Sequence, residues 1–146
     1  MILGGQVSMK GTYCLIIRCS GTETRIGSLG RIRFPPGYYV YVGSGFGSLE
    51  ARIRRHLRAE KRMRWHIDHL LSDAEVVSVF YSTDKRRLEC AVSEKLEGDL
   101  SVKGFGCSDC RCRSHLHHFE TREEAEKAVE RAFRDLHADL KRWDEV

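Results

Sequence analysis

The stretch YYVYVGSGFG from Tyr38 to Gly47, followed directly by SLEARIRRHL from Ser48 to Leu57, decides how this chain folds. Aromatic and β-branched residues at alternate positions over Tyr38 to Gly43 predict a strand. Gly43-Ser44-Gly45-Phe46-Gly47-Ser48 then turns the chain, and Ser48 is placed to cap a helix that opens at Leu49. Within that helix Leu49, Ile53 and Leu57 recur at four-residue spacing and form the buried stripe. The same spacing turns Arg54, Arg58 and Arg62 outward and sets Arg52 and His56 together on a flank. A glycine-rich loop before a basic helix has the outline of a phosphate cradle, but no Gly-Lys-Ser/Thr closes it, so it is not a P-loop.

Working outward, Tyr13 to Cys19 reads as a buried strand, Ser20-Gly21-Thr22 as a turn, and Arg25 to Leu29 as a short partner strand. Phe34-Pro35-Pro36-Gly37 forces the next turn, which makes an antiparallel meander the economical arrangement. Downstream, Trp65 to Leu71 predicts a short helix, Glu75 to Ser82 a fourth strand, and Arg87 to Leu96 another helix. Thr121-Arg122-Glu123-Glu124 is a capping box opening a long helix with Ala125, Ala128, Val129, Ala132, Phe133, Leu136 and Leu140 on its inner face. The fold class expected is α/β (α+β): a small central, mostly antiparallel sheet flanked by helices, in one domain spanning 1–146, with a core over about 11–100 and a Cys/His loop and C-terminal helix over 104–146. Neither an internal repeat nor a linker composition divides the 146 residues, a length typical of one domain.

Composition narrows the function. The longest apolar runs, Tyr13 to Ile17 and Tyr38 to Val42, fall far short of the about 20 residues a spanning helix needs, so no membrane partner is expected. The opening MILGGQVSMK carries no basic start and apolar stretch of a secretory signal, which points to the cytoplasm. Asn is absent and Gln6 is the one Gln, a depletion of thermolabile amides typical of hyperthermophile proteins. The net charge of +4 conceals a strong asymmetry: residues 25–65 carry ten Lys or Arg against Glu50 and Glu60, while residues 66–146 are net acidic. A localised basic segment is an electrostatic footprint for a polyanion, nucleic acid first, although a solvated helix face has the same composition. Its candidate contacts are Arg54, Arg55, Arg58, Lys61 and Arg62.

Gly11-Thr12-Tyr13, Tyr41-Val42-Gly43, Arg52 with His56 four residues on, and Glu89 on a later helix together resemble the GIY-YIG nuclease superfamily. The string from Tyr38 to Leu71, with YVGSG, RIRRHLR and WHIDHLL, and the later GFGCSDCRCRSHL resemble a small uncharacterised branch of it, found alone or fused to DNA glycosylases of the endonuclease III type. The resemblance implies a GIY-YIG-like fold and cleavage of a phosphodiester with one divalent ion, Mg²⁺ or Mn²⁺. It also implies roles: Tyr13 and Tyr41 would position or activate water, Arg52 would stabilise charge on the phosphate, His56 would stand beside them, and Glu89 would hold the metal. Elementary chemistry agrees, since guanidinium forks onto phosphate oxygens, carboxylate suits these hard cations, and phenol or imidazole can take a proton. Two departures are visible. Tyr13 and Tyr41 stand 28 positions apart, wider than usual, and the asparagine that ends the usual nuclease core is missing. The expected function is metal-dependent endonuclease cleavage of DNA, in preference to RNA, linked to repair; the rivals are a DNA-binding module without turnover and an interaction domain serving a glycosylase.

Cys107, Cys110 and Cys112 lie close together, with His115 shortly after. They have the ligand types of a zinc site but are unusually compact for one, and a disulfide or reduced thiols compete for the same residues. His66 and His69, one helical turn apart with Asp68 between them, read as hydrogen-bonded side chains at the edge of the site ahead of a metal pair. Cys14, Cys19 and Cys90 sit in apolar patterns and read as small core residues.

Overall fold

The computed structural model describes residues 9–96, 100–101, 105 and 114–144. Its centre is β1 (Gly11–Cys19), a strand buried along almost its whole length, which explains why its sequence is a continuous apolar run rather than an alternation. Tyr13, Leu15, Ile17 and Cys19 enter one core; Cys14 and Ile16 enter a second core on the opposite face. The strand β4 (Gly37–Gly45) divides in the same way, Tyr39 and Tyr41 to the first core, Val40 and Val42 to the second. It pairs antiparallel with β1 in a register that sets Leu15 opposite Tyr41 and Tyr13 opposite Gly43.

Helices cover both faces. On the first lie α1 (Leu49–Leu57), capped by Ser48 through its bond to the Ala51 N–H, and the short α2 (His66–Leu71). On the second lie α3 (Glu89–Lys95) and the long α4 (Arg122–Asp135), capped by Thr121. The remaining strands β5 (Glu75–Ser82), β6 (Leu100–Ser101), β7 (Leu116–Phe119) and β8 (Lys141–Arg142) complete a sheet of order β6-β7-β4-β1-β5-β8, every neighbouring pair antiparallel. The expected mixed α/β class with a central antiparallel sheet is what the chain adopts. Among the described residues no helix is long and apolar enough to cross a membrane.

Two elements differ from the sequence expectation. In place of a strand over Arg25 to Leu29, the chain forms a hairpin of β2 (Thr22–Arg25) and β3 (Arg31–Phe34) joined through a 3-10 turn over Gly27–Leu29. The cause is backbone: Gly27 and Gly30 take φ of 43° and 80°, left-handed values that only glycine adopts easily, and Ile26 and Gly30 close the turn by a 2.8 Å bond. This hairpin is a separate two-stranded sheet, anchored by Ile26 and Phe34 in the first core, so the meander is interrupted and β4 pairs directly with β1. At the other end α4 stops at Asp135, not beyond Leu140. Leu136 caps it, His137 turns the chain with φ 56°, and Leu136 and Leu140 still pack on the second core from the turn.

Candidate active site

Glycine shapes the deepest part of the site. Because Gly43 faces Tyr13 across the β1–β4 ladder, the phenol folds over the bare backbone, where any Cβ would collide with it. That places Tyr13 Oη 2.6 Å from Nε2 of His56, which α1 turns inward until it is 2% exposed. The Tyr41 ring lies 6.5 Å from that of Tyr13 and 6.1 Å from that of His56, closing a three-ring cluster. One helical turn before His56, Arg52 donates from Nη1 to the Ser44 carbonyl at 2.9 Å, and the positive guanidinium also acts on the Tyr13 hydroxyl.

Ser44 is where the two faces of the sheet meet. A strand alternates its side chains, so Ser44 aims its hydroxyl away from Tyr41 and toward α3, and Oγ donates to Glu89 Oε1 at 3.0 Å. Glu89, in the first turn of α3, thus reaches the residue whose carbonyl Arg52 holds. Its second oxygen lies 3.1 Å from His115 Nδ1, and the far nitrogen of that ring stands 3.7 Å from Cys90 Sγ. His115 is itself fixed by backbone bonds, its carbonyl accepting from the Val42 N–H and its N–H donating to Phe105. Tyr13, Tyr41, Arg52, His56 and Glu89 are therefore gathered around the glycine-rich end of β4. Ser44 and His115 join them: Ser44 was legible only as part of a loop, and His115 as a member of the Cys/His cluster.

Exposure grades across this group. Tyr13 is 1% exposed, Tyr41 7%, and the Glu89 side chain 29%. Burial is the main reason the Tyr13 hydroxyl is pushed well above the ordinary phenol range; Tyr41 and Glu89 add to it and Arg52 opposes it. Burial likewise lowers His56 to about 3, against the opposing pull of Asp68 and with help from Lys61, Arg55 and Arg52. Both groups are neutral at pH 7. Nδ1 of His56 has no hydrogen-bond partner among the described residues, and a buried orphan N–H is rarer than an orphan acceptor. The proton accordingly belongs on Nε2, which donates to Tyr13 Oη; Arg52 can only donate, so the hydrogen of Tyr13 is left to point elsewhere.

The basic segment divides. Arg54, Arg58 and Arg62 are exposed, and the Arg54 guanidinium lies 5.5 Å over the Trp143 ring. Arg55 is turned inward: it forks onto Asp68, 2.9 Å from each oxygen, and reaches the Arg62 carbonyl at 2.7 Å. Lys61 donates to the His56 carbonyl at 2.9 Å. Asp68 is buried, also accepts the backbone N–H groups of Arg64 and Trp65, and is thereby held at about 2 even though burial alone would raise it.

Glu89 is a partly exposed carboxylate. Mg²⁺ or Mn²⁺ characteristically keeps several waters and takes one or two carboxylates together with substrate oxygens, so the donor present fits such an ion. Among the described residues no three His, Cys, Asp or Glu side chains gather into a metal-binding group. Cys107, Cys110 and Cys112, the other zinc candidates beside His115, lie outside the described residues. His66 meets Phe105 edge-on at 5.5 Å.

Comparison with known proteins adds one result. No curated protein and no solved structure matches this chain. A family model does, over residues 12–138, a span that includes nearly all of β1, the glycine-rich turn, all four helices and Tyr13, Tyr41, Ser44, Arg52, His56, Glu89 and His115, and the chain accordingly belongs to the family described as Domain of unknown function DUF123.

Proposed function

We propose that this protein is a metal-dependent endonuclease that cleaves phosphodiesters in DNA, within the GIY-YIG superfamily its motifs resemble. The observation that carries the reading is Ser44, whose carbonyl engages Arg52 from α1 and whose hydroxyl engages Glu89 from α3. Core packing requires neither helix to bring a charged group to that residue. Opposite charges flanking one point, with the phenols of Tyr13 and Tyr41 behind them, are the electrostatics that phosphoryl transfer needs.

The exposure gradient orders the roles. Arg52 and Glu89 are the groups a phosphodiester meets first; Arg52 presents its remaining N–H donors to the non-bridging oxygens and opposes the charge that grows there. Glu89 would hold the divalent ion, which when bound supplies positive charge at the phosphate and acidifies water. Tyr13 and Tyr41 stand behind, and His56 holds the oxygen of the neutral Tyr13 in place. Arg58 and Arg62, exposed beside the site's helix, are suited to the backbone of a polyanion. A repair context, with a glycosylase of the endonuclease III type as partner, belongs to the same proposal.

The test is incubation of the wild type and Glu89→Ala with branched, nicked and duplex DNA in Mg²⁺ or Mn²⁺. Cleavage by the wild type that the variant loses supports the reading. Tight, salt-sensitive DNA binding without cleavage of any substrate would replace it with the binding module.

A further inference from the structure

We propose that Trp65 is a positioning residue for Arg52, and that Asp68 and Arg55 hold Trp65 in place for it. This rests on the nuclease reading for its consequence, though not for its geometry. The Arg52 Cζ lies 4.6 Å from the centre of the Trp65 ring, and the guanidinium continues from there to the Ser44 carbonyl. Arg55 lies 4.2 Å and Arg64 5.3 Å from the same ring. Three guanidinium groups repel one another, and a hydrophobic lid would not call for them; the negative face of an indole attracts each.

The indole is in turn fixed. Its own backbone N–H donates to Asp68 Oδ2 at 2.9 Å, and Arg55, stacked on it, forks onto both oxygens of that carboxylate. The Asp68 side chain is fully buried, so its geometry is set by its donors. On its other neighbour the ring stands 5.7 Å from His56. A continuous set of contacts therefore runs from Asp68 through Arg55 and Trp65 to Arg52 and ends at the Ser44 carbonyl. An unrestrained arginine side chain has several rotatable bonds, and a planar face beneath it removes most of that freedom before a phosphate arrives.

The experiment follows the Arg52 Nε–H signal by nitrogen NMR in the full chain, together with steady-state cleavage of a DNA substrate. Trp65→Leu keeps an apolar cover and removes the ring; Trp65→Phe keeps a ring. The Arg52 signal should lose its ring-current displacement in Trp65→Leu and retain part of it in Trp65→Phe. Cleavage by Trp65→Leu should fall about tenfold in kcat with KM little changed, the loss of one such contact at about 1.4 kcal/mol. Trp65→Phe should recover most of it, and adding Trp65→Leu to Arg52→Ala should cost nothing more. As a reciprocal variant, Arg52→Lys should displace the Trp65 indole N–H signal, which serves if Trp65→Leu does not fold. An Arg52 signal indifferent to Trp65→Leu, a Trp65 signal indifferent to Arg52→Lys, or equal kcat for the Leu and Phe variants would overturn the proposal. Signals that move as expected in a protein that cleaves nothing would support the positioning and refute the nuclease reading.

Discussion

Asp68→Asn tests the anchor of the site more sharply than any change at the site itself. The carboxylate accepts four hydrogen bonds, two from Arg55 at 2.9 Å, one from Arg64 N at 2.8 Å and one from Trp65 N at 2.9 Å. An amide has the same shape but a single acceptor oxygen, and its NH₂ would face donors. Removing one partner of a buried ion pair costs about 3–5 kcal/mol. Arg55 keeps 16% exposure and its bond to the Arg62 carbonyl, which relieves the stranded charge and puts the cost near the low end, about 3 kcal/mol. For a chain of this length that lowers Tm by roughly 6–12 °C. A pH dependence accompanies it. The folded carboxyl is held at about 2 against an ordinary 3.8, so its contribution is complete above about pH 4 and is lost as pH falls toward 2. That contribution is about 2 kcal/mol. Urea unfolding of both proteins at pH 7 and near pH 2 should therefore show a gap that narrows in acid. A variant within about 1 kcal/mol of wild type at pH 7, or a gap unchanged by acid, would refute the reasoning.

Three further outcomes are expected. Glu89→Gln keeps an acceptor for the Ser44 hydroxyl but loses the charge; DNA cleavage should fall at least about a hundredfold while thermal unfolding moves little. Arg58→Ala with Arg62→Ala should flatten the log-log salt dependence of DNA affinity by about 1.8, two contacts at about 0.9 each, whereas Arg55→Ala should lower stability and leave the slope nearly unchanged, as read by binding titrations across salt. Gly43→Ala drives a methyl group into the Tyr13 phenol and should cost about 2 kcal/mol in denaturant unfolding while breaking the Tyr13–His56 bond, a loss that crystallography of the variant would show directly.

The strands β1 and β4 and the helix α1 were legible because their signals are local: apolar runs, a Ser48 cap, a four-residue stripe. The hairpin lies several residues from where the pattern puts it because Gly27 and Gly30 act through backbone angles that no hydrophobic pattern records. The apolar period runs past the end of α4 because Leu136 and Leu140 keep it while leaving the helix. At the site, the positions of Tyr13, Tyr41, Arg52, His56 and Glu89 came with a family resemblance. Their meeting did not follow from spacing, since it depends on α3 reaching β4 from the second core. Ser44 carried no signal beyond being small and polar between glycines. In the sequence Trp65 and Asp68 stand out only as neighbours of a histidine pair; what identifies them is that Asp68 sits where the α2 N-terminus needs an acceptor, and that Arg55 lies within its reach.

Charge is distributed through the site in layers, and the layering follows from cost. Tyr13 and His56 are nearly without solvent, where an ion would be expensive, and both are neutral there. Arg52 and Glu89 lie further out, each partly exposed and each with a partner on Ser44. A strand residue can serve both helices only because its side chain leaves toward one face while its carbonyl lies in the sheet plane, open to the end of a long side chain from the other. The glycines on either side of Ser44 let this happen: Gly43 makes room for Tyr13, and Gly45 permits the close approach of Leu49 as α1 begins. The small residues of the glycine-rich turn let three elements, β1, α1 and α3, bring a phenol, a guanidinium and a carboxylate to a single strand end.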